Sequence, residues 1–192
     1  MSAIVSLPGA AALSPFRLDK IRREAAQQGL NLGTLTARHW HFLELDGALD
    51  AAQMQLVEQA LDYGTPADTP TANDPLILVT PRPGTISPWS SKATDILRNC
   101  GLVGFMRIER GVAFHVLDAT GQALSAEAAA RLLPFLHDRM TEAVMTLADV
   151  AQLFRHVPPR ELARVDVLGG GRAALETANK SLGLALSDDE VE

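Results

Sequence analysis

Residues 7–30, LPGAAALSPFRLDKIRREAAQQGL, line up with residues 82–102, RPGTISPWSSKATDILRNCGL. Both stretches hold Pro-Gly, an apolar residue, Ser-Pro-aromatic, a lysine and a closing Gly-Leu. Ser14-Pro15-Phe16 corresponds to Ser87-Pro88-Trp89, an offset of 87 − 14 = 73 residues. Each copy reads as a helix with punctuated ends. The serine is an N-cap whose hydroxyl accepts an orphan backbone N–H. The proline takes the first helical position, where a missing N–H costs nothing. Gly29 and Gly101 suit the left-handed position after a helix, and Leu30 and Leu102 supply the apolar contact beyond it. In the second copy Trp89, Ala93, Ile96, Leu97 and Cys100 share one face at helical spacing, so core packing is expected of that face, the thiol included.

Outward from each helix lies an extended segment. Met106, Ile108, Val112, Phe114 and Val116 alternate with Arg107, Glu109, Ala113 and His115, the period of a strand. Its counterpart is TLTARHWHFLEL (34–45), with Leu35, Ala37, Leu43 and Leu45 on the core parity and Trp40 and Phe42 on the other face. Two large aromatics there imply that something covers them. A closing helix follows in each copy. The first is DAAQMQLVEQALDYG (50–64); the second starts near Ser125 and is expected to run on through LLPFLHDRMTEAVMTL, kinked at Pro134. PLILVT (75–80) and the weaker AIVSL supply the leading strands. The predicted fold is α+β: two tandem β-α-β-α halves, about 1–64 and 75–148, joined into one pseudo-twofold antiparallel sheet with helices on one face.

Past residue 148 the pattern changes, and 149–192 reads as a small, partly helical linker. Pro158-Pro159 interrupts it; RVDVLGGGRAALETANKSLGLAL then offers a short strand, a glycine turn and a helix from about Arg172. Ser187-Asp188-Asp189-Glu190 has the form of a capping box. A helix start with so little helix behind it predicts a segment that continues beyond this chain.

The net charge of −6 includes Asp188, Asp189, Glu190 and Glu192, leaving −6 + 4 = −2 for the rest, which argues against nucleic-acid binding. No apolar run approaches the roughly 20 residues of a membrane span, and the start lacks a secretory n-region. A lone cysteine, Cys100, forms no internal disulfide and fits a reducing cytosol.

VTPRPGTISPWSSKATDILRNCGL with RIERGVAF (79–102, 107–114), LHDRMTE (136–142) and LGGGRAALETANKSLGLAL (168–186) together resemble the N-terminal region of the large, single-chain phosphoribosylformylglycinamidine synthase family. The resemblance covers nearly the whole chain. It implies a domain similar to a fused dimer of the small subunit found in multi-subunit versions. It also implies a cytoplasmic, ATP- and magnesium-dependent glutamine amidotransferase, whose synthetase and glutaminase domains would be partners of this one in the same chain. None of the family's ATP, metal or nucleophile sites falls within these residues, so the piece alone is expected to be inactive. The role it implies is assembly and coupling of ammonia transfer. A free-standing regulatory module, binding a small ligand between duplicated halves, is the alternative from another class.

Several residue groups carry possible chemistry. Cys100 has no histidine near it and sits where a helix dipole disfavours the thiolate. His39 and His41 share a strand face, as a metal pair would, but lack a third ligand. Gly169-Gly170-Gly171-Arg172 lacks the Lys-Ser/Thr of a nucleotide loop and reads better as a turn. Arg107, Glu109 and Arg110 read as a solvated charged face, and HDRMTE (137–142) as a helix face with an Arg139–Glu142 pair. The strongest candidate is the loop holding Arg82, Gly84, Thr85, Ser87, Trp89, Ser90, Ser91 and Lys92. Its cations, hydroxyls and helix N-terminus suit either an interface with a catalytic domain or an anion. Capping alone accounts for Ser87 and Pro88.

Overall fold

A computed structural model describes residues 3–67, 75–155, 158 and 161–192. The chain divides into two compact units, Met1–His156 and Val157–Glu192. In the first, β1 (Ala3–Ala11), α1 (Pro15–Gln27), β2 (Leu32–Leu45) and α2 (Ala51–Leu61) are followed by β3 (Leu76–Pro81), α3 (Pro88–Asn99), β4 (Phe105–Asp118) and α4 (Ala126–Leu136). A short β5 (Glu142–Met145) and a 3-10 helix (Leu147–Phe154) complete it. The strands form one antiparallel sheet in the order β1-β2-β4-β3-β5.

The duplication is visible in this order. β2 and β4 pair along their length from Leu35↔Val116 to Glu44↔Arg107, a register in which paired numbers sum to 151. With the 73-residue offset, the pseudo-twofold axis crosses the His39↔Val112 pair (39 + 73 = 112). The helix punctuation repeats as well. Ser14 and Ser87 have nearly the same cap conformation, φ −69°, ψ 156° and φ −70°, ψ 151°. At the other end, Leu30 N–H bonds the Ala25 carbonyl and Gly29 N–H that of Ala26, while Leu102 bonds Leu97 and Gly101 bonds Arg98. Both helices therefore end in a Schellman motif, with positive φ at Gly29 (75°) and Gly101 (91°).

Strand alternation sorts the two faces. Leu35, Ala37, Val79, Phe114 and Val116 join Ala25 of α1 and Leu132 and Leu136 of α4 in one core cluster. Leu43, Leu45 and Ile108 join Val57 of α2 and Leu97 of α3 in a second. All four helices thus lie on one face, as the fused-half reading expects. On the reverse face Phe42, Leu78 and Ala113 are covered by Val150 and Leu153 of the 3-10 helix, with Trp40 and Phe154 packed alongside. The cover demanded by Trp40 and Phe42 comes from the chain itself.

Three local expectations are corrected. The last helix does not run on past Leu136: Pro134 lies in its final turn, and residues 142–145 leave it to pair as β5 with the edge of β3. HDRMTE is therefore a turn entering a strand. The Asp138 carboxylate accepts from Met140 N–H at 2.8 Å and Glu142 accepts from Asp138 N–H at 2.8 Å, so the pair expected between Arg139 and Glu142 gives way to a turn lock. Second, α3 is rotated relative to the apolar stripe. Ser90, Thr94 and Leu97 are its buried residues, whereas Ile96 and Cys100 are exposed. The reason is polar: Ser90 Oγ donates to the Ile108 carbonyl (2.5 Å) and Thr94 Oγ1 accepts from Ile108 N–H (3.2 Å). β3 pairs only with residues 112–115 of β4, so α3 hydroxyls satisfy the backbone groups of Ile108 on the edge that β3 does not reach. Third, the short strand before the glycines is absent.

In the second unit, α5 (Val167–Leu182) begins on an Asp166 cap and bends at Gly171 (φ 54°, ψ −148°), then ends at a left-handed Gly183. α6 (Asp188–Val191) opens with the Ser187–Glu190 capping box. Arg172 bridges Glu176 (2.8 Å) and Glu192 (3.2 Å), and the Asn179 amide bonds both backbone groups of Leu186 at 2.9 Å. Gly169 N–H already donates to Asp166 Oδ1 at 2.9 Å, which places a carboxylate of the chain where a phosphate would go.

Candidate functional site

The Arg82–Lys92 loop divides into an inward and an outward set. Gly84 makes its turn at φ 82°, and Thr85 closes it by donating through Oγ1 to the Arg82 carbonyl at 2.6 Å. Ser87 then caps α3, its Oγ accepting from Ser90 N–H at 3.0 Å. The same hydroxyl donates to Glu109 Oε1 at 2.6 Å, and Ser87 N–H donates to Oε2 at 3.3 Å. Glu109 is only 1% exposed. The positive end of α3 is thus occupied by a buried carboxylate of β4, which removes the strongest argument for an external anion there.

Trp89 also turns inward. Its ring packs among the α2/α3 core residues, 5.6 Å from the His41 ring centroid and 4.6 Å from the Arg110 guanidinium carbon. That leaves Arg82, Thr85, Ile86, Ser91 and Lys92 on the outside. Arg82 is tied across the turn to the Met140 carbonyl (3.3 Å). A shallow cleft of about 320 Å³ beside the loop is lined by Ile86, Ser91, Arg98 and Met106, with Ile86 and Met106 both exposed.

The expected charged face of β4 is not a solvated one. Arg107 lies on the reverse face, donating to the Leu153 carbonyl (2.6 Å) over the Phe154 ring. Glu109 is buried, and Arg110 points to the helix face. There it meets a polar cluster near the pseudo-twofold axis that sequence reading missed. His41 Nε2 lies 2.7 Å from Tyr63 Oη, and Arg110 donates to the same phenol oxygen at 3.1 Å. His39 stands beside His41, ring centroids 6.3 Å apart. Burial is the main reason both imidazoles are pushed down to about 4; His39 also feels Arg110, and His41 feels His39 and Arg110. Both rings are neutral at pH 7. A phenol and a guanidinium are the wrong companions for a divalent metal, and among the described residues no three His, Cys, Asp or Glu side chains converge as a metal site. The cluster had no motif to betray it, because Tyr63, just past the end of α2, meets His41 and Arg110 only in the folded chain.

The fold is an α+β domain of two fused β-α-β-α halves sharing one sheet, with a capped loop whose outward side chains are exposed. The family model for the formylglycinamide ribonucleotide amidotransferase N-terminal domain matches residues 38–154, from the middle of β2 through the 3-10 helix. The chain belongs to that family. This is the enzyme that the sequence resemblance names by its product. Among the described residues no helix is long and apolar enough to cross a membrane.

Proposed function

We propose that this chain is the non-catalytic N-terminal part of a phosphoribosylformylglycinamidine synthase. That ligase converts phosphoribosylformylglycinamide, glutamine and ATP to phosphoribosylformylglycinamidine, glutamate, ADP and phosphate in cytoplasmic purine biosynthesis. The domain holds the synthetase and glutaminase domains of the same polypeptide so that ammonia passes between them. Residues 149–192 are its lead into the linker. ATP and magnesium belong to the synthetase domain, and the thiol that attacks glutamine belongs to the glutaminase domain.

The family match over residues 38–154 carries this reading. It is supported by the outward set of the loop, where an exposed apolar Ile86 is flanked by the cations Arg82 and Lys92 on a turn fixed from behind by Glu109. A rigid, partly apolar projection suits a permanent domain contact better than a substrate pocket. In the complete enzyme, Lys92→Glu should lower glutamine-driven synthesis while leaving glutamine hydrolysis intact. Equal loss of both, or loss of neither, contradicts the proposal.

A further inference from the structure

The pseudo-twofold relates α1 to α3 and α2 to α4, so the α1/α4 and α2/α3 seams occupy equivalent places. They are not alike. The α1/α4 seam is closed: Ala25, Leu132 and Leu136 share a core, and the Arg131 guanidinium donates to the Gln28 carbonyl. The α2/α3 seam opens as a cleft of about 380 Å³. Its walls are largely apolar, with Leu61 on one side and Ala93 and Ile96 on the other, and Tyr63, Trp89 and Arg110 complete it.

Arg110 is held there by a phenol and an indole ring. One guanidinium nitrogen donates to Tyr63 Oη, and the cation lies over the Trp89 ring. Among the described residues no carboxylate forms an ion pair with it. Tyr63 is fixed in turn by His41, which is fully buried. A cation on an aromatic platform, oriented by a supporting layer and facing an apolar cleft, is the arrangement of a preorganised anion receptor.

We propose that the α2/α3 cleft binds a small monocarboxylate with an apolar body, its carboxylate on Arg110 and its body between Trp89 and the Ala93–Ile96 wall. The volume sits at the lower end of the roughly 300–1,000 Å³ of small-molecule sites. A guanidinium presents paired N–H groups that match one carboxylate. Among the described residues lining the cleft Arg110 is the one cation, and a single guanidinium on apolar walls leaves a phosphate dianion undercompensated. The cleft is independent of the scaffold role, because none of the loop's outward residues lines it.

The test uses the 192-residue chain and 4-phenylbutyrate, with the neutral 4-phenylbutyramide as its match. The two tryptophan indole N–H signals are followed by NMR during titration. The Trp89 signal should shift saturably with the acid while that of Trp40, on the reverse face, stays in place. The amide and Arg110→Gln should each weaken binding by about tenfold or more, the scale of a hydrogen bond to a charged group. Lys92→Gln should change nothing. A non-saturating shift, an amide that binds as well as the acid, or undiminished binding by Arg110→Gln overturns the proposal. Should that variant fail to fold, Ala93→Leu decides: it fills the cleft and leaves Arg110 in place, and unchanged affinity overturns the site. None of these results bears on the coupling of synthesis to glutamine.

Discussion

The carboxylate of Glu109 and the hydroxyl of Ser87, 2.6 Å apart, lock the start of α3 to the middle of β4. Ser87 donates through both O–H and N–H while its oxygen accepts from Ser90, so one serine serves helix and sheet together. Burying a carboxylate costs several kcal/mol unless its lone pairs are used. Here the serine groups, Arg110 N–H at 3.1 Å and the positive end of a helix use them.

Removing either member should therefore unbalance the other. Ser87→Ala is expected to destabilise the domain by about 2 kcal/mol, more than an ordinary cap, and Glu109→Ala by about 2–3 kcal/mol. The double variant should cost clearly less than the sum. Urea denaturation measures all three; strict additivity would show that the residues act separately.

The two Schellman endings should respond alike. An alanine at Gly101 meets no neighbour within 4 Å, and at Gly29 only an ordinary contact at 3.7 Å, so the penalty at both is conformational. Gly29→Ala and Gly101→Ala should each lose about 1–2 kcal/mol. A negligible loss at either position contradicts the left-handed assignment.

Ile108 should report on the polar face of α3. Thr94→Val strips the acceptor from its N–H and Ser90→Ala the donor from its carbonyl, at about 1–2 kcal/mol each. In Thr94→Val, hydrogen exchange at Ile108 should quicken selectively. Unchanged protection there would mean that the helix hydroxyl does not complete the sheet edge.

His39 and His41 predict acid sensitivity. Their folded values near 4 lie below the ordinary 6.5, so between those limits the unfolded chain binds more protons. Stability is complete above about pH 6.5 and declines as pH falls toward 4. Melting temperatures across that window should drop, and His41→Gln should flatten the slope by about one proton. A flat profile in the parent chain contradicts the burial of these rings. Asp118, held low chiefly by Thr120, acts at more acidic pH.

What could be read from sequence was what is written locally. Ser14-Pro15 and Ser87-Pro88 start helices, Gly29 and Gly101 end them, and alternation around Leu35 and Ile108 marks strands. Those signals sufficed for the halves, the sheet and the need to cover Trp40 and Phe42. The face of α3 was misread because the partner of Ser90 and Thr94 is a strand backbone, invisible to an apolar pattern. α4 was overextended because what claims residues 142–145 is the edge of β3. The Arg82–Lys92 loop stood out by its residue types, but which of them face outward depended on Glu109, and the His41–Tyr63–Arg110 cluster exists only once β2, β4 and the end of α2 come together.

The scaffold role is tested most directly by Ile86→Asp in the complete enzyme, with synthesis measured from glutamine and from free ammonia. The account predicts that the glutamine-driven rate falls about tenfold or more while the ammonia-driven rate holds, because a charge on the outward side of the loop disturbs domain contact and not chemistry. Equal decline of both rates, or no change in either, would contradict it.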